Sequence, residues 1–297
     1  FYYKSFFLKN IKAFLLFFFY YFYINIFSKK KRITNEKLIL IDTFIINDKN
    51  EESDFYGILY NKYLRKQKNI YFVPTPIYKN FSNYIKILKN LNSKKYIFKE
   101  HYLKFTDIIF CLNHLFRKNK FLRTYKNYHG INLDPIIHRE LRYNSDYLSI
   151  LQSLANYLFS ERLKKNNIRL KKVINWFENQ PLDKAWNLGF KIYYNDIDLI
   201  GYQGMLNAPM YHCLSPTEYE VNLNLTPKKI FVINKSIIKE RSKFIKYKNI
   251  FQVGPALRFD EIFKSKIPKK RKYKITIFLE GVTLYVSHVL PIQVHDH

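Results

Sequence analysis

The sequence predicts an α/β protein: a Rossmann-like parallel sheet with flanking helices. Three observations carry that expectation. Apolar runs of four to eight residues recur at Lys37–Phe44, Asn69–Pro74, Lys172–Phe177, Asp198–Tyr202, Ile230–Ile233 and Ile250–Val253. Most of them are continuously apolar and not alternating, as strands buried on both faces are. Stretches with helical spacing lie between several of them, which implies βαβ units. A hydrophobic fraction of 47% over 297 residues is ample for a packed core.

Taken in order, the first element is Ala13–Phe27, fifteen residues without a charge, preceded by Lys9 and Lys12 and followed by Lys29, Lys30, Lys31 and Arg32. It is short of the ~20 apolar residues of a spanning helix. Its tyrosines favour an interface, and no small-residue cleavage site follows it. Three readings stay open: a helix packed on the domain, an interfacial helix with a basic flank toward anionic lipid, and a single span. Beyond the strand Lys37–Phe44, helices are expected at Asp54–Lys68, Phe81–Leu91 and Lys104–Phe116, with Pro74 and Pro76 stopping the second strand. Asp146–Leu163 reads as the clearest amphipathic helix. Pro181–Leu188 reads as a short helix closed by Gly189. The basic, Pro-containing stretch Lys264–Lys272 reads as a linker, and Tyr273–Leu279 as a fresh strand. The expected organisation is an apolar and basic helix over 1–32, an acceptor-side domain over 33–263, a linker over 264–272 and the start of a truncated second domain over 273–297. Phe1 in place of Met, and the abrupt end after a strand-like run, lead to the expectation that the chain is a fragment.

Composition excludes several classes. Two cysteines rule out a disulfide scaffold or a cysteine-based zinc cluster and fit a reducing compartment. Seven glycines in 297 residues make phosphate loops scarce, and neither GxGxxG nor GxxxxGK[ST] occurs. The formal charge of +28 attracts polyanions. Lys, Asn, Ile, Phe and Tyr are enriched together, however, so part of that charge is compositional bias. Its distribution says more. Val173–Pro227 has six carboxylates against two lysines, whereas Lys228–Lys274 has sixteen Lys and Arg against three acids. That pattern suits a neutral sugar acceptor near carboxylates and a phosphate-bearing ligand near the basic stretch.

The densest polar cluster is Glu178-Asn179-Gln180-Pro181-Leu182-Asp183-Lys184, after a strand and at the start of a helix. Ligands in open α/β sheets bind at the carboxyl ends of strands, and a helix start offers free N–H groups. Glu178 is placed to accept a proton from an attacking hydroxyl, and Asn179 and Gln180 to bind sugar hydroxyls. The structural alternative is that Asp183 serves the helix dipole and Glu178 pairs with Lys184. A second cluster, Gly201-Tyr202-Gln203-Gly204, also ends a strand; its glycines would allow close backbone approach or positive φ, or make a plain turn. His212 and Cys213 lack partners at ligand spacing, so no metal site is expected.

The segments WFENQPLDKAWNLGF, IGYQG, PTEYEVNLNLTPKKIFVINK and FQVGPALRF, in that order, resemble a bacterial family of surface-carbohydrate biosynthesis proteins similar to GT-B glycosyltransferases. The likeness covers roughly Lys172–Phe259. It implies that Glu178, Asn179 and Gln180 stand on the family's Glu-Asn-Gln, and Asp183 on its acidic helix-opening residue. Gly201, Tyr202 and Gln203 stand on Gly-Tyr-Gln, and Gly254 and Arg258 on the element before the donor domain. The sequence departs from the pattern at Leu182 (aromatic in the family), Gly204 (His) and Lys235 (Gly), and the Gly204 departure bears on any His-dependent step. By this resemblance the chain is the N-terminal half of a GT-B fold with its second domain truncated. It would belong to a cytoplasmic enzyme, peripheral at the inner membrane in one reading, that moves a sugar from a nucleotide-sugar to a glycan acceptor. Glu178 is then the catalytic carboxylate. Asn179, Gln180, Asp183, Tyr202, Gln203 and Gly204 bind substrate, and Gly254 and Arg258 lie on the donor side. No cofactor is expected beyond the nucleotide-sugar substrate, and no specific nucleic acid. The rival from another class is a non-enzymatic basic protein that binds nucleic acid or anionic membrane, with 26 Tyr and 27 Phe available for stacking.

Overall fold

A computed structural model describes residues 2–31, 33, 36–45, 56, 67, 69–76, 85–86, 89, 96–114, 116–117, 130–139, 147–205, 212–245 and 248–259. The chain divides into two compact units, Phe1–Glu261 and Ile262–His297, and everything described belongs to the first. The helices expected over Asp54–Lys68 and Phe81–Leu91, apart from single positions, lie outside the described residues. So do the linker and the Tyr273–Leu279 strand.

The core is a six-stranded, wholly parallel sheet: β1 (Leu38–Ile45), β2 (Ile70–Pro76), β3 (Leu170–Trp176), β4 (Asp198–Gln203), β5 (Lys229–Val232) and β6 (Phe251–Val253). The spatial order is β2-β1-β3-β4-β5-β6. The chain first adds a strand on one side of β1 and then builds away on the other, so the order reverses between β1 and β3. This is the doubly wound α/β arrangement, with helices α1 (Tyr2–Phe27), α2 (Phe105–Leu112), α3 (Asp134–Arg139), α4 (Tyr147–Lys165), α5 (Pro181–Tyr193), α6 (Glu218–Asn222) and α7 (Lys235–Arg241) around it.

Each of the six strands expected before residue 260 is present, with its ends shifted by no more than two residues. β2 runs through Pro74 to Pro76 where a stop was expected. Proline cannot donate to a ladder, but only Phe72 bridges outward from β2, to Tyr96, among the described residues. Beyond that bridge the missing N–H costs little. The other correction is α5, which continues past Gly189 to Tyr193. Gly189 is no terminator: a Cβ there would collide with Ser160 Oγ and the Tyr157 carbonyl. The glycine lets α4 and α5 approach closely, with Trp186 and Phe190 on α5 and Phe159 on α4 fully buried between helices and sheet.

One sheet face packs against α4 and α5 through Leu40, Val73, Val173 and Leu199. The other carries Ile41, Phe72, Trp176 and Tyr202. A third cluster joins Ile230, Val232 and Phe251 to Phe177 and Ile245. The N-terminal apolar run is the second half of a 26-residue helix. Its stripe Ala13, Phe17, Tyr20, Ile24 is buried, and Asn25 Nδ2 donates to the Glu100 carbonyl at 3.2 Å. The helix therefore packs on the domain along one side. Asp107 of α2 is held by Arg162 of α4, with Nε to Oδ2 at 2.7 Å and a second contact from Nη2 to Oδ1. Burial alone would raise this carboxyl; the guanidinium and the Lys104 N–H outweigh it and hold it below its ordinary value.

Candidate functional site at the carboxyl edge of the sheet

The β3–α5 turn is built by its own polar residues. Pro181 occupies the first turn of α5, where no intrahelical N–H is needed. Asp183 Oδ2 accepts from the backbone N–H of Glu178 (2.9 Å) and of Gln180 (3.0 Å), closing the turn over the helix start. Asn179 takes φ 59°, a left-handed conformation that asparagine tolerates better than most residues. The Glu178 carboxylate is half-buried. Its Oε1 accepts from Trp176 Nε1 at 2.7 Å and its Oε2 from Gln180 Nε2 at 3.0 Å. Two neutral donors thus orient a carboxylate at the protein surface.

Asp183 is almost fully buried and its Oδ1 has no hydrogen-bond partner. Burial, with a smaller push from nearby Asp42 and Glu178, raises its carboxyl to about 8 against the two backbone N–H bonds. The structural alternative for Lys184 is corrected: it pairs with Glu220 at 2.5 Å and not with Glu178. Glu220 also receives the Thr217 N–H (2.7 Å) and Asn179 Nδ2 (3.3 Å). Part of the acidic island is therefore internally paired.

The β4 residues sort by side. Trp176 and Tyr202 are cross-strand neighbours, with rings 5.6 Å apart in an edge-on arrangement. Strand alternation then directs Gln203 to the opposite face. Its Nε2 donates to the Leu214 carbonyl at 2.8 Å, and its buried Oε1 has no partner. Asn179 Nδ2 reaches the adjacent Cys213 carbonyl at 3.2 Å. The structure thus brings Asn179 and Gln203 together on the 213–214 segment, and Glu178 and Gln180 together beside the Trp176 indole. It does not direct Glu178 and Gln203 to the same side. Tyr202 ties in the third predicted element: its hydroxyl donates to the Pro255 carbonyl (2.9 Å) and accepts from the Leu257 N–H (3.0 Å). Burial raises this phenol to about 12, opposed by the Leu257 bond and by Arg258 nearby. Arg258 is itself exposed. Gly201 and Gly204 have negative φ and serve packing: a Cβ on Gly201 would meet Pro227 and Phe177, and one on Gly204 the rings of Tyr202 and Trp176. Gly254 likewise lies against Phe231.

The sequence reading missed a buried polar layer on the α4/α5 side of the same edge. Lys99 Nζ donates to Thr75 Oγ1 (3.1 Å) and to Asn156 Oδ1 (2.6 Å). Thr75 Oγ1 donates to Asp42 Oδ1 (3.4 Å), Asn156 Nδ2 to the Leu182 carbonyl (3.2 Å), and Tyr56 OH to the Asp42 carbonyl (2.8 Å). Burial raises Asp42 to about 6, against Lys99 and the Thr75 bond, and lowers Lys99, against Glu100 and Asp42. Asn175, fully buried on β3, has neither amide atom paired. The signal available in sequence was a polar residue inside or just after an apolar run: Asp42 and Asn175 within theirs, and Thr75 directly after Pro74. Lys99 and Asn156 had no comparable signal.

Among the described residues no group of three His, Cys, Asp or Glu side chains could hold a metal. A hollow of about 410 Å³ lined by Lys37, Arg169, Tyr194 and Asp196 lies at the opposite, amino edge of the strands, away from the edge where open α/β sheets bind ligands. Compared with the models of known protein families, with curated proteins and with solved structures, the chain finds no match.

Proposed function

We propose that this chain is the acceptor-side half of a glycosyltransferase that moves a sugar from a nucleotide-sugar to a surface glycan. The observation that carries the reading is the place of the Glu178-Asn179-Gln180 turn. It follows β3, at the point where the strand order reverses, and there the crevice outside the carboxyl ends holds ligands in doubly wound sheets. Glu178 is the base: its carboxylate takes the proton of an acceptor hydroxyl as that oxygen bonds to sugar C1. The C1–O bond to the diphosphate breaks, and the nucleoside diphosphate leaves with the electron pair. Trp176 and Gln180 aim the carboxylate. Asn179 and Gln180 contact the acceptor, Asp183 holds the turn, and Tyr202 couples β4 to Gly254 and Arg258 on the donor side. Positive charge between Lys228 and Lys274 balances the leaving diphosphate without a further cofactor. Nucleotide-sugars place the reaction in the cytoplasm.

The test is turnover of a nucleotide-sugar panel by the full-length protein. Glu178→Gln keeps the shape of the side chain, and transfer should fall by about 10²–10⁴-fold with an unchanged melting curve. Unchanged product formation removes Glu178 from the chemistry. An absence of turnover together with RNA or DNA binding that falls steeply with salt would favour the basic-binder reading.

A further inference from the structure

The inward stripe of α1 is buried, yet its outward stripe is apolar as well. Leu8, Ile11, Leu15, Phe22 and Ile26 recur at helical spacing on the side opposite Ala13, Phe17, Tyr20 and Ile24. They are exposed, Leu15 at 58% and Ile26 at 68%. A helix that is apolar all round normally has neighbours on every side. The exposed surface extends onto α2. Phe105, 50% exposed, has its ring 6.4 Å from Phe18 and 6.3 Å from Phe22, and Ile109 and Phe110 continue from it. Two helices from distant parts of the sequence thus form one aromatic-rich face.

Among the described residues, the exposed charge around that face has one sign. No acidic residue occurs before Glu36, and the acids beside α2, Glu100 and Asp107, are buried. Lys12, Lys29, Lys30 and Lys104 are exposed. Lys30 Nζ lies 4.5 Å from the centre of the Tyr102 ring, which brings the basic stretch after α1 beside the start of α2. Arg117 stacks on Phe110 at 3.6 Å. An apolar face larger than a scattering of single residues, with a wholly basic rim, fits a surface that is apolar below and anionic above.

We propose that α1 and α2 together form an interfacial docking face for an anionic lipid bilayer, with α1 lying in the membrane plane: its inner stripe on the domain, its outer stripe among the acyl chains. This goes beyond the sugar-transfer reading and does not depend on it. Two features argue against a span: the inner stripe is committed to the domain, and α2 shares the face.

The test uses the full chain with vesicles of phosphatidylcholine, with and without phosphatidylglycerol. Binding should require the anionic lipid and weaken with salt. Leu15→Glu with Phe22→Glu, and separately Phe105→Glu, should each weaken it at least about tenfold. These positions are exposed, so the circular dichroism spectrum should not change. As a readout that removes no apolar group, Phe22→Trp should blue-shift on anionic vesicles and be quenched by lipids brominated high on the acyl chain. Equal binding by the Phe105→Glu chain, equal partition into neutral vesicles, resistance of the bound chain to alkaline carbonate (a span), or a stable dimer that these variants split while vesicle binding stays absent (a second copy as occupant) would each overturn the proposal. None of these outcomes bears on Glu178.

Discussion

Two rows of residues on one face of the sheet sit two positions apart along the strands and differ completely in chemistry. The row formed by Leu40, Val173 and Leu199 is apolar, buried and packed against α4 and α5. Two residues further toward the carboxyl ends, β1 and β3 present Asp42 and Asn175, with Thr75 and Gln203 one step beyond on β2 and β4. These are buried just as deeply, but they are polar and only partly satisfied: both amide atoms of Asn175 and one oxygen of Gln203 have no partner. An unpaired buried polar group costs about 1–3 kcal/mol, and most are avoided in folded proteins. The contrast teaches that the amino half of this face supplies stability while the carboxyl half spends part of it to keep polar groups at the edge where open α/β sheets in general hold ligands.

Three tests would break or sharpen that contrast. Lys99→Met should have the largest effect. It leaves Asp42 buried without its ammonium partner and should cost about 3–5 kcal/mol in denaturant unfolding; adding Asp42→Asn should recover most of the loss. A full-strength loss in the double variant would mean that Lys99 acts through packing and not charge.

Next comes a reciprocal pair. Val173→Asn brings upper-row chemistry into the lower row, loses packing and strands an amide, at about 3 kcal/mol. Asn175→Leu does the reverse at nearly constant shape and should leave stability within about 1 kcal/mol of the parent or raise it, because no hydrogen bond is lost. If Asn175→Leu destabilises as much as Val173→Asn, the two rows do the same job.

The last test is on pH dependence, read as a slope. Asp183 in the folded protein titrates at about 8 and in the unfolded chain near its ordinary 3.8. Between those values the folded state holds a proton that the unfolded state has released. Its contribution to stability is full below pH ~4 and is lost as pH rises through about 8. Asp42, raised to about 6, and Glu100, raised to about 7, act in the same direction over narrower windows. Asp183→Asn keeps an oxygen for the two N–H groups and should flatten the stability curve between pH 4 and 8 by at most about 1.4 kcal/mol per pH unit. An identical slope in parent and variant would show that Asp183 is ionised in the folded state.

Much of the fold was legible in the sequence because buried parallel strands need continuous apolar, β-branched runs, and each of the six left that trace. What failed were the stops. Pro74 and Gly189 read as breaks because their usual effect is local, but an unused strand edge and a close helix pair removed the local cost. The candidate site was legible in the same uneven way. Glu178, Asn179, Gln180 and Asp183 are contiguous and build one turn, so spacing revealed them. Lys99 and Asn156 belong to separate segments and meet Asp42 and Thr75 only once the sheet forms. Gln203 adjoins Tyr202, yet alternation carries it to the other face and away from Glu178.

By itself, then, the sequence determined the α/β class, the strand positions, the basic balance and the polar turn after β3, since each follows from local pattern or composition. Tertiary structure alone decided which polar side chains share a layer, that Glu178 leans on Trp176 while Lys184 turns to Glu220, and that the outward stripe of α1 joins Phe105 in one surface. Those outcomes depend on contacts between residues far apart in the chain, and no periodicity along one segment records which distant partner will be adjacent.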